Sequence, residues 1–142
     1  MKSRFAVFSV IFALFSVFFV ACSSSDPKDV AISFYKALEK GDEESAIKLV
    51  HIADESKRDE YEGKVTFFVA AFKSEAKKRG GIKNIEVVEE KIEGDKATIM
   101  LKTTYKKSDK ADTEKPEKIN LIKVDGAWKV DLEMDNPFKN MK

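Results

Sequence analysis

The 142-residue chain has one cysteine, one histidine and three prolines. One cysteine excludes an intramolecular disulfide, so any folded part must be held by packing alone. The lone histidine, His51, has no second His or Cys at a ligand spacing, which argues against a zinc site and against His-dependent catalysis. Charge of one sign is also missing. Lys and Arg number 26 against 25 Asp and Glu, a net charge of +1. A nucleic-acid binder would show a basic excess, so that class is set aside. There is no Gly-rich phosphate loop, nucleophile elbow or zinc-protease motif, and no repeat or low-complexity tract. The acidic pairs Glu43-Glu44, Asp59-Glu60 and Glu89-Glu90 read as surface pairs. These absences lead to an expectation of no metal, no cofactor and no catalytic residue.

What is present begins with an apolar run from Phe5 to Cys22, preceded by Lys2 and Arg4. A basic start, an unbroken apolar stretch and a small residue before a break make a secretory signal. Phe19-Val20-Ala21-Cys22 resembles a bacterial lipobox, with Phe19 where Leu is more usual. The resemblance implies diacylglyceryl transfer to the Cys22 sulfur, cleavage after Ala21 and acylation of the new amino terminus. Two or more acyl chains, at about 0.8 kcal/mol per buried CH₂, make such an attachment stable. An uncleaved membrane span and an ordinary export signal are the competing readings. Ser23 follows the cysteine where Asp would resemble an inner-membrane retention signal, so outer-membrane sorting is favoured if the cell is Gram-negative. Expected boundaries are 1–21 for the signal peptide, 22–26 for the lipidated cysteine and tether, 27–132 for one folded domain and 133–142 for a tail. Loss of Lys2 and Arg4 brings the mature charge to about −1.

The folded part opens with a predicted helix from Pro27 to Lys40, with Asp26 as its cap and Gly41 as its left-handed stop. Val30, Phe34 and Leu38 mark its apolar face. Asp42 starts a shorter helix, with Ala46, Leu49 and Val50 inward and His51 completing a cap at its end. A long helix over roughly Lys57 to Arg79 carries one stripe of Tyr61, Val65, Phe68, Val69, Phe72 and Ala76. Gly63 is its weak point, and Gly80-Gly81 ends it. Lys73, Lys77, Lys78 and Arg79 gather in its last turns. They complement the helix dipole, and they are also the makings of a phosphate or lipid-headgroup site.

After Gly81 the apolar period changes from 3.6 to 2. A strand from Ile82 to Ile92 turns at Gly94-Asp95 into Ala97–Tyr105. That turn would pair Ile92 with Ala97 and Val88 with Leu101. Ile85 and Val87 have the opposite parity, so a β-bulge is expected near Val87-Val88-Glu89, letting both sets point inward. Ser108–Pro116 reads as a polar loop. Ile119, Leu121 and Lys123 alternate after it, and Asp125-Gly126 is a strong hairpin signal. It sets Leu121 against Val130 and Ile119 against Leu132, puts Trp128 on the same face and requires positive φ at Gly126.

The expected fold is α+β, with N-terminal helices packed on a bent antiparallel sheet of about four strands. The order of elements, together with Pro27, Phe34, Tyr35, Leu38, Gly41, Ala97 and Asp125-Gly126-Ala127-Trp128-Lys129-Val130, resembles small bacterial lipoproteins of the domain-of-unknown-function 4878 family, formerly labelled lumazine-binding. That family lies in the nuclear-transport-factor-2-like (cystatin-like) cone superfamily. The resemblance implies the cone fold and is nearly silent on activity. Phe34, Tyr61, Phe68, Phe72, Tyr105 and Trp128 approach the space between helices and sheet. They are either a filled core or the lining of a pocket for a small apolar ligand. The inward strand positions are apolar, and Thr103, Tyr105, Lys123 and Tyr61 are the inward polar candidates. The expected function is a membrane-anchored envelope lipoprotein that binds a small ligand or an envelope protein without catalysis. The alternative is an isomerase- or dehydratase-like enzyme using the cone cavity.

Overall fold

The computed structural model describes residues 26–107 and 115–132. The signal stretch with Ala21 and Cys22, most of the Ser108–Pro116 loop and the tail from Glu133 lie outside the described residues. Helix α1 spans Pro27–Lys40, with Pro27 in the first turn and Gly41 at φ 74°, where its N–H closes onto the helix. Its buried face is wider than one row: Val30, Ala31, Phe34, Tyr35, Ala37 and Leu38 are all enclosed. Helix α2, Glu43–Lys48, is capped by Asp42, whose carboxylate accepts from the Ser45 N–H at 3.0 Å. A 3₁₀ turn at Glu55–Lys57 leads into α3, Arg58–Lys78. All six residues of its predicted stripe are buried. Each large side chain so enclosed contributes about 1.5–3 kcal/mol before chain entropy.

Four strands follow, β1 Ile82–Glu93, β2 Lys96–Tyr105, β3 Glu117–Val124 and β4 Ala127–Val130. They form one antiparallel meander in the order β1-β2-β3-β4. Asp125 and Gly126 have φ of 50° and 80°, a backbone that favours the Asp-Gly pair in a two-residue hairpin. Leu121 lies opposite Val130, as expected. The inner face carries Ala97, Ile99, Leu101, Ile119, Leu121, Val130 and Leu132, all buried against the helices.

The bulge falls at Val88, within the expected Val87-Val88-Glu89, but the pairing beside it differs by one residue. Leu101 pairs with Val87, not Val88, and Glu89 pairs with Met100. Val88 is therefore the extra residue and does not turn inward; it is 45% exposed. Ile92 does pair with Ala97, yet it too is 49% exposed. It shares a face with buried residues but lies where β1 runs past the helical cover.

The β4 edge is closed by the chain after α2. Val50 bridges Val130 in parallel, the Val130 N–H donates to Leu49 O at 2.7 Å, and the His51 N–H donates to Val130 O at 2.8 Å. His51 therefore sits beyond the helix end, where its backbone extends the sheet rather than completing a cap. Lys129 Nζ donates to the carbonyl of Lys48, the last residue of α2. Among the described residues no helix is long and apolar enough to cross a membrane.

Candidate functional site

The wide stripe of α1 puts Tyr35 one position beyond Phe34 and fully inside the core. Its ring meets Phe72 edge-on, centroids 5.5 Å apart, and Phe34 at 6.4 Å. A buried phenol needs a partner for its hydroxyl. The hydroxyl donates to Glu117 Oε2 at 2.8 Å. Glu117 opens β3 opposite Leu101. Strand alternation back from Leu121 and Ile119 puts it on the inner face.

Burial raises the Glu117 carboxyl above the ordinary glutamate range, while the Tyr35 hydrogen bond and the Arg79 charge pull it part of the way back. Tyr35 is held well above the usual phenol value, first by burial and then by the Glu117 charge. Tyr35 thus keeps its proton and is a fixed hydrogen-bond donor to a partly desolvated carboxyl group. Arg79 follows the last residue of α3. Its Nε pairs with Glu75 Oε1 at 2.9 Å, one turn back, and its guanidinium lies 5.0 Å from the Tyr105 ring centroid. Tyr105 ends β2 on the inner face opposite Ile82, two residues beyond buried Thr103.

The arrangement is an apolar core with a polar end. Phenol, carboxylate, guanidinium and a second phenol come together where β2 ends and β3 begins. Glu117 Oε2 is occupied by Tyr35. The carboxylate can still accept from a donor on an incoming molecule, or carry a proton, at Oε1. Among the described residues no group of three or more His, Cys, Asp or Glu side chains is placed to hold a metal ion.

Of the expected lining residues, Phe34, Tyr61, Phe68 and Phe72 are buried together in the core, and Trp128 is half-buried against it. Tyr105 is half-buried under Arg79. Lys123 lies over the Trp128 ring at 5.8 Å, at the opposite end of the sheet. Cys22 and Ala21 fall outside the described residues. Sequence reasoning missed Tyr35, Glu117 and Arg79 as a group; Glu117 joins the expected Thr103 and Tyr105 as a polar group on the inner face. The period-2 alternation, continued two residues before Ile119, would have found Glu117. Nothing local marks Arg79 apart from the lysines beside it.

A profile of the family described as Domain of unknown function (DUF4878) matches residues 20–131. No curated protein matches the chain. Among solved structures, a protein from Campylobacter jejuni named as an NTF2-like transpeptidase is 29% identical, with a TM-score of 0.67. The likeness covers 77% of this chain and all (100%) of that one. Helices against an open four-stranded antiparallel sheet are thus an NTF2-like, α+β fold.

Proposed function

The chain belongs to the DUF4878 family, and on that premise we propose that it is a membrane-anchored cell-envelope lipoprotein whose folded domain is a non-catalytic binding module. The observation that carries the binding role is the polar end of the core. Tyr35 and Arg79 act on the Glu117 carboxylate, which is partly desolvated yet already paired. A paired carboxylate is suited to hold a ligand donor such as an amine, amide or hydroxyl. Anchoring rests on Phe19-Val20-Ala21-Cys22. Native mass spectrometry of the protein from its own envelope tests the binding role. A co-purifying mass that is kept in the wild type and lost in Glu117→Gln and Tyr105→Ala supports it; an identical clean mass in all three refutes it. Replacing Cys22 by Ser tests the anchor. A variant that matures and fractionates like the wild type would refute lipid attachment.

One observation favours a second reading as an acid–base enzyme. A carboxyl raised by burial and bonded to a phenol is the equipment of proton transfer. The name of the Campylobacter protein points instead to acyl transfer, which requires a nucleophile. Turnover of a carbonyl substrate with an acidic α-carbon, abolished in Glu117→Gln, would establish the enzyme reading.

A further inference from the structure

The basic residues at the end of α3 do more than meet the helix dipole. Lys77 and Lys78 lie in its last turn, and the chain then turns through Gly80 and Gly81, at φ 79° and 91°, to Lys83 in β1. Lys106 and Lys107, just past β2, are tied to the same turn by two backbone bonds. The Lys106 N–H donates to Gly81 O at 3.0 Å and the Lys107 N–H to Arg79 O at 2.8 Å. The Lys107 stem crosses Gly80 so closely that a Cβ there would be 2.9 Å from Lys107 Cγ. Three segments thus gather Lys77, Lys78, Lys83, Lys106 and Lys107, all exposed, around one turn. Among the described residues none of the five is in an ion pair. Among the described residues, the acids beside this turn are engaged elsewhere: Glu75 pairs with Arg79, and Glu39 accepts from the Ile82 N–H at 2.9 Å. A dipole acts only on the last helical turn, so it does not explain Lys83, Lys106 or Lys107.

We infer that this face docks on the phosphate headgroups of an anionic bilayer, as a second contact beside the anchor. The inference rests on the membrane-anchored reading. Only four residues, Ser23 to Asp26, separate Cys22 from α1, and such a link spans at most about 14 Å. Glu39, bonded to Ile82, lies about 18 Å along α1 from Pro27. A domain whose α1 lies along the bilayer therefore brings tether and lysines to the same surface. The acyl chains hold the protein at the bilayer, and the polybasic patch adds an electrostatic contact that orients the domain on it.

Lysine acetylation of the full chain in proteoliposomes tests this. In vesicles rich in phosphatidylglycerol the five lysines should label severalfold more slowly than in phosphatidylcholine vesicles, while Lys64 and Lys96 label equally in both. Raising the salt until the Debye length is about 3 Å should erase the protection. The combined Lys77→Gln, Lys78→Gln, Lys106→Gln and Lys107→Gln variant should keep its far-UV helix signal and lose the protection at Lys83. Equal labelling of the five lysines in both vesicle types overturns the inference. So does equal protection by inorganic phosphate in detergent, which would make the ligand free phosphate. The mass at Cys22 in the same sample reads acylation separately, so failure of the anchor and failure of the docking face are distinguishable.

Discussion

The hydroxyl of Tyr35 is one group with two consequences. It satisfies its own burial, and it gives the half-desolvated Glu117 carboxylate a donor. Tyr35→Phe removes a donor to a charged acceptor, and should cost about 1.5–3 kcal/mol, read as a lower urea midpoint. It should also drive the Glu117 titration further upward, measurable by carboxyl-carbon NMR, because burial then acts with less opposition. The sign of the pH dependence follows from the raised value. A carboxyl that binds its proton more tightly folded than unfolded stabilises the fold fully below its unfolded pKa, and that stability is lost as pH rises through its folded pKa. Glu117→Gln keeps the acceptor and removes the charge. Its advantage over wild type should therefore be largest at neutral pH and vanish below about pH 4; an advantage independent of pH would contradict this. Glu117 was open to sequence reasoning through alternation alone. Its partner was not, because Tyr35 and Glu117 are 82 positions apart, and no local period links a helix to the third strand.

Elements were the most legible level, because each is written in a local period. The α3 stripe and the α1 limits needed only spacing and caps. The β1 bulge was legible as a parity conflict, yet Val88 was assigned to the wrong side of it. Parity says that an extra residue exists, and only the cross-strand partner says which one. Ile92 shows a further limit, since a strand cannot announce where its helical cover ends. Two glycines give opposite expectations. Gly63 sits in α3 with ordinary φ, and a Cβ added there would meet nothing within 4 Å. Gly63→Ala should stabilise by about 0.5–1 kcal/mol, seen as a higher melting temperature. Gly126 has equal space but φ of 80°. Gly126→Ala should destabilise by about 1 kcal/mol despite the room. If both shift in the same direction, space rather than backbone conformation governs these positions.

At the scale of the whole molecule, three helices and a meander share one core without a covalent staple. Trp128, the only tryptophan, sits half-buried on that core in the last strand. Its fluorescence and the far-UV helix signal should therefore be lost together in urea, as one cooperative transition. An earlier tryptophan transition would show that β4 and its α2 border open separately. The fold class was legible because helices precede strands with no alternation between them. Which end of the core would be polar was not, because that depends on which loops meet. The sheet itself has unequal borders. On one side the Val50–Val130 bridge leaves a four-residue strand covered. On the other, the twelve residues of β1 have no further strand beside them among the described residues. Among the described residues, strand pairing between copies would then join β1 to β1, an isologous contact that uses up both available rims. Polymerisation needs a head and a tail, and a sheet with one usable rim has only a head. Mispairing through that rim would stop at a twosome rather than grow into a fibre.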